Sequence, residues 1–128
     1  MYKLIYHGEV LSKKNSKQII YNRRTGRPML VSNKSSLLNE KALTEAFRRQ
    51  IDEDVFDCPV EVRLKVWLKD RRRRDGDNQY TMVQDALVEA GLLEDDDYKH
   101  VPKHSVELMG YDKEDPRIEV EIIEINQN

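Results

Sequence analysis

The residues best suited to chemistry lie in the segment "KDRRRRDGDNQYTMVQDALVEAGLLEDDD". Asp75 and Asp77 flank Gly76 at the expected junction of a strand and a helix. In an extended segment residues i and i+2 point the same way, so the two carboxylates can converge, and Gly76 admits backbone angles that a larger residue resists. A second acidic group, Asp95, Asp96 and Asp97, follows the helix and can fold back toward the first. Carboxylates from two segments suit Mg²⁺, a hard ion held by one or two carboxylates together with phosphate and water; Mn²⁺ is a possible substitute. A metal so held can activate water and stabilise charge on a phosphoryl group under attack. Asp77 has a second role open to it as a helix N-cap, and the acidic run a second reading as a solvated surface.

Arg71, Arg72, Arg73 and Arg74 precede these acids. Guanidinium groups make paired contacts to phosphate oxygens, so the run is expected to hold a nucleic-acid backbone beside the metal. Lys13, Lys14 and Lys17, in the basic loop "LSKKNSKQ", are further candidates for DNA contact. Asp77, Thr81 and Asp85 are four residues apart and share a helix side, which leaves Asp85 as either an acid beside the metal or an ordinary polar helix residue. Asn78 sits next to Asp77. His100 and His104 are not expected to be ligands, because Pro102 interrupts a helical i,i+4 pair.

Such a site needs a folded frame. A chain of 128 residues, 38% hydrophobic and 36% charged, fits one compact domain spanning 1–128. Residues 1–74 carry 18 Lys and Arg against 9 Asp and Glu, a formal +9; residues 75–128 carry 4 against 15, a formal −11. The division suggests a basic surface for a polyanion, or two halves that neutralise each other within the fold. Cys58, the single cysteine, has no internal disulfide partner and reads as a packing residue. No apolar run approaches the ~18 residues of a membrane span, and "MYKLIYHGEV" lacks the apolar core of a secretory signal, so a cytoplasmic protein without a membrane role is expected.

The elements follow from periodicity. "YKLIYHGE" reads as a strand, and "QIIYN" and "RPMLVS" as a hairpin turned by "RRTG". "KSSLLNEKALTEAFRRQI" is an amphipathic helix capped by Ser32 or Asn33. "VEVRLKVWL" alternates strictly, with Val60, Val62, Leu64, Val66 and Leu68 on one face. A second helix is expected over about Asn78–Ala90, ended by Gly91. "HSVELM" and "RIEVEIIEI", joined by "GYDKEDP", read as a closing hairpin. The order β, β-hairpin, α, β, α, β-hairpin is that of an α+β domain, a mixed β-sheet with two main α-helices.

The segment resembles the RusA family of Holliday junction resolvases, small phage- or prophage-associated nucleases that cut four-way DNA junctions. "DRRRRDGDN" is similar to the family's basic run followed by D-x-DN, and "DALVEAGLLEDD" to its helix end and paired aspartates. The resemblance is clear over Lys69 to about Tyr98. It implies a RusA-like fold, with metal-binding catalytic acids at Asp75, Asp77 and Asp96, Asp95 as an adjacent acid, and Asn78 within the motif. It further implies a homodimer, dependence on Mg²⁺ and paired nicks in branched DNA during recombination or repair. Thr81 stands where the family carries a functionally important lysine, and Lys13 and Lys14 stand where prolines are common. Lys99 or a lysine of "SKKNSK" is a candidate replacement for the missing cation, and a branched-DNA-binding protein with weak or absent catalysis is the alternative reading.

Overall fold

The structure is a computed structural model that describes residues 2–11, 17–21, 23–32, 34–51 and 55–125. Its elements run β1 (Tyr2–His7), β2 (Lys17–Tyr21), β3 (Pro28–Ser32), α1 (Lys34–Gln50), β4 (Val60–Leu68), α2 (Gly76–Glu89), β5 (Lys103–Tyr111) and β6 (Arg117–Glu124). Four strands form one mixed sheet in the order β1-β6-β4-β5, while β2 and β3 pair separately as the expected hairpin. The result is the α+β architecture anticipated from the element pattern.

β4 is the organising strand because its side chains alternate without interruption. Val60, Val62, Leu64 and Val66 are buried, as are Leu4 of β1 and Ile118, Val120 and Ile122 of β6. Leu43 and Phe47 of α1 and Met82, Val83, Ala86 and Leu87 of α2 complete the same core. Each such buried aliphatic or aromatic side chain contributes about 1.5–3 kcal/mol relative to exposure. Cys58 packs at the margin of this core, half-buried.

The other side of the sheet carries charge that is largely neutralised in place. Lys65 lies 2.7 Å from the buried Glu121, Lys3 lies 3.8 Å from Glu119, and Arg63 lies 3.0 Å from Glu61. Hydrogen bonding from Lys65 holds the Glu121 carboxyl below its ordinary range. Arg117 covers the Trp67 ring at 4.3 Å. Two of these ion pairs join the basic and acidic halves of the chain, so part of the charge asymmetry serves the fold.

The closing hairpin is not formed. β5 pairs in parallel with β4, β6 pairs antiparallel with β4 on its other side, and β4 separates the two. The reason is burial: three side chains of β6 belong to the core, which requires an inner position, whereas β5 is exposed at most positions and suits an edge. The turn-like residues 112–116 instead cross the end of β4. Asp112 donates its N–H to the Leu68 carbonyl at 2.8 Å, and its carboxylate accepts from the Glu114 and Asp115 amides and from Arg117 at 2.9 Å. Parallel pairing of β4 with β5 makes β4, α2 and β5 a crossover unit, and α2 is thereby laid along the outer strand.

Candidate metal and nucleic-acid site

The connector from β4 to α2 is set by a dense group of hydrogen bonds. Asp70 accepts from the Arg72 amide at 3.1 Å and from the Arg72 guanidinium at 3.1 Å. Arg74, only 16% exposed, reaches Asp70 at 2.8 Å and Glu9 at 2.7 Å, and also donates to the carbonyls of Asp70 and Arg72. The Arg72 amide, followed by the Arg74 and Arg72 side chains, lowers the Asp70 pKa to about 2. Arg71 covers the Tyr111 ring of β5 at 4.3 Å. Arg73 is exposed and makes no ion pair among the described residues. The four arginines therefore do not form one uniform row of outward cations: Arg74 braces the connector from within, and Arg71 and Arg73 are the better placed to meet a phosphate.

Asp75 has a defined local task. It is extended at φ −102° and ψ 116°, and its Oδ1 accepts from the Asp77 amide at 2.9 Å and the Asn78 amide at 3.3 Å. This is an N-cap, with the side chain satisfying two of the unpaired donors at the helix start. α2 thus begins at Gly76, two residues before the expected start, and the cap is Asp75 rather than Asp77. The expected convergence of Asp75 and Asp77 through an extended i,i+2 step does not apply, because Asp77 already lies in the first helical turn. Gly76 matters for a packing reason: a Cβ there would stand 3.2 Å from Val106 Cγ1 of β5. Its absence lets the start of α2 close on the edge strand.

Between α2, the returning acidic loop and β5 lies a cavity of about 330 Å³ lined by Asp77, Tyr80, Thr81, Gln84, Asp96 and His104. The first four occupy one side of α2 at i, i+3, i+4 and i+7. Gln84 donates to the Asp96 carbonyl at 3.0 Å and so fastens the returning acidic loop to the helix. Asp95 Oδ1 accepts from the Asp96 amide at 2.7 Å, which shapes the same turn. Thr81 Oγ1 donates to the Asp77 carbonyl at 3.0 Å. Tyr80 and His104 are stacked, with ring centroids 4.2 Å apart and planes 12° apart. Burial, and secondarily the charge of Asp96, push the Tyr80 hydroxyl pKa up, so it stays protonated.

Of the sequence candidates, Asp77, Asp96 and Thr81 come together in this cavity, while Asp75, Asp95, Asn78 and Asp85 are not among its lining residues. Asp85 is half-buried on α2. Lys17 opens β2, and Lys13 and Lys14 lie outside the described residues. Asp97 binds His100 at 2.6 Å instead of facing the cavity. Tyr80, Gln84 and His104 were missed. The first two carried a signal, the i+3 and i+7 spacing from Asp77; His104 enters through strand pairing and carried none.

Asp77 and Asp96 supply the oxygen donors that suit a small hard cation completed by water and phosphate. No group of three or more His, Cys, Asp or Glu positioned to hold a metal is found among the described residues, and of the four candidate acids Asp77 and Asp96 line the cavity while Asp75 and Asp95 do not. No helix among the described residues is long and apolar enough to cross a membrane. No curated protein matches the chain. The family model described as endodeoxyribonuclease RusA matches residues 10–123.

Proposed function

Since the chain belongs to the RusA endodeoxyribonuclease family, we propose that it is a Mg²⁺-dependent nuclease that cuts Holliday junctions or other branched DNA by paired nicks. The observation that carries this reading is the meeting of Asp77 and Asp96 in one cavity, beside a connector rich in arginine. Asp77 and Asp96 would hold the metal. When bound, it would supply an activated water and offset charge on the phosphoryl oxygens.

The chain's own residues divide the remaining work. Arg71 and Arg73 contact the DNA backbone and hold it in register, as phosphate contacts do without reading sequence; Lys13, Lys14 and Lys17 are further candidates for DNA contact. Asp75 acts by fixing the backbone that carries Asp77, and Asp95 by shaping the turn that carries Asp96. Two copies related by a two-fold axis would present two such cavities to the equivalent strands of a junction. On this reading the protein would act on DNA in the cytoplasm of a bacterial or phage-infected cell, in recombination, repair or phage DNA processing.

The test is nicking of a synthetic four-way junction in Mg²⁺ or Mn²⁺. The wild type is expected to make symmetric nicks, and Asp77→Asn to bind the junction without cutting it. Cutting by Asp77→Asn at the wild-type rate would remove Asp77 from the reaction and refute the assignment.

A second reading is a branched-DNA-binding protein with little catalysis, favoured by Thr81. That side chain stands in the cavity without a charge and gives its hydroxyl proton to the Asp77 carbonyl. Loss of one electrostatic contact to a transition state can slow a reaction by roughly 10²–10³-fold. Lys99, exposed in the neighbouring loop, is the candidate to replace the cation. A large gain of nicking in Thr81→Lys would favour the second reading, and vigorous wild-type nicking would reject it.

A further inference from the structure

His104 lines the cavity from β5, an element that carries neither of the two cavity acids. It pairs in register with Val62, a core residue of β4, and Val106 two residues on meets the start of α2, so His104 stands on the helix side of the sheet. The residue is exposed, and its ring lies flat on Tyr80, with centroids 4.2 Å apart and planes 12° apart. Stacking fixes the ring through its face and leaves the two nitrogens, which lie on its edge, open. Neither nitrogen has a hydrogen bond or ion pair among the described residues.

The other lining side chains are engaged, shut away or of the wrong kind to bind an anionic oxygen. The Asp77 and Asp96 carboxylates are acceptors when ionised. Thr81 donates its one hydroxyl hydrogen to the Asp77 carbonyl, and Gln84 donates to the Asp96 carbonyl and is thereby tied to the loop. The Tyr80 hydroxyl oxygen is buried away from solvent. His104 keeps its donors wholly unengaged: an imidazole has one N–H when neutral and two when charged. Nor is it a third ligand beside the acids, since no three His, Cys, Asp or Glu among the described residues are placed to hold one ion.

We propose that the His104 imidazole donates a hydrogen bond to a non-bridging oxygen of the DNA phosphate that enters the cavity, which makes it a substrate-binding residue of the site. The ring supplies from β5 a donor that Thr81, on the α2 wall, does not. The inference rests on the nuclease reading above and extends it to a residue outside the acidic and basic runs.

His104→Phe deletes both nitrogens and keeps an aromatic ring to stack on Tyr80; should it not fold, His104→Ala carries the same comparison. Thermal unfolding, Mn²⁺ affinity by calorimetry without DNA, and the nicking rate at saturating four-way junction should be measured for variant and wild type. We expect an unchanged Tm, unchanged Mn²⁺ affinity and nicking slower by roughly 10²-fold. One diastereomer of a phosphorothioate at the cleaved position should slow the wild type more than the variant, because both changes remove the same contact. A variant that cuts as fast as a cutting wild type would overturn this inference alone. So would weakened Mn²⁺ affinity, which would make the imidazole a metal ligand, or additive losses with both phosphorothioate diastereomers, which would make its role structural. A wild type that does not cut would overturn the nuclease reading and this inference together.

Discussion

The connector at Asp70–Asp75 and the cavity along α2 share one charged stretch of chain and treat polar groups in opposite ways. In the connector, the charges of Asp70, Arg72 and Arg74 meet partners, and Asp75 satisfies the helix start. Around the cavity, the carboxylates of Asp77 and Asp96, from different segments, make no hydrogen bond or ion pair among the described residues. The first arrangement is what rigid support requires. The second is what a binding site requires, since a group already satisfied within the protein has little to offer a ligand. Charge density alone therefore does not mark a site; what distinguishes one is the capacity left over after the fold has formed.

This contrast is broken most strongly within the arginine run. Arg74→Ala removes a largely buried guanidinium that contacts Glu9 and Asp70 at 2.7 and 2.8 Å, and should destabilise the fold by about 2 kcal/mol in urea unfolding. Arg73→Ala should leave that unfolding curve unchanged, and instead weaken junction binding and reduce the slope of log affinity against log salt by about 1. Equal behaviour of the two variants in both assays would erase the distinction between brace and clamp.

A smaller effect is expected at His100. Hydrogen bonding with Asp97 holds the His100 imidazole above its ordinary range and the Asp97 carboxyl below its own. The raised His100 pKa contributes stability that is complete below the unfolded histidine value and is lost as pH rises through the folded one. The lowered Asp97 pKa contributes stability that is present above the unfolded aspartate value and is lost as pH falls through the folded one. The pair is thus most stabilising between the unfolded values of roughly 3.9 and 6.5. In His100→Ala the Tm deficit relative to wild type should be larger at pH 5.5 than at pH 8.5. A deficit that grows with pH would contradict the pairing.

How much of this was legible in the sequence depended on the reach of the interaction. The alternation of β4 and the apolar stripe of α2 are local patterns: β4 formed where expected, and α2 did so but for a start two residues earlier. The pairing of β5 and β6 was misread because turn residues at 112–116 fit a hairpin equally well, while the choice was decided by which strand had core side chains to bury. Arg74 looked like its three neighbours because its partner Glu9 lies just after β1, far away in the chain. The D-x-D pattern offered two possible caps, and the close approach of Gly76 to Val106 accompanies a helix that starts at the earlier one. Asp77 and Asp96 stood out as candidates because their residue types are informative wherever they lie; Tyr80, which lines the same cavity, did not, because a buried tyrosine on a helix is ordinarily core.

The proposed function divides the acids of this stretch: Asp75 caps the helix, while Asp77 and Asp96 would hold the metal. The most direct measurement compares four-way-junction nicking by Asp96→Asn and Asp75→Asn across a Mg²⁺ titration. Asparagine caps a helix about as well as aspartate does, so Asp75→Asn should cut within a few-fold of wild type while Asp96→Asn fails to cut at any Mg²⁺ concentration. Loss of cutting in Asp75→Asn with unchanged stability, or full cutting by Asp96→Asn, would contradict the division.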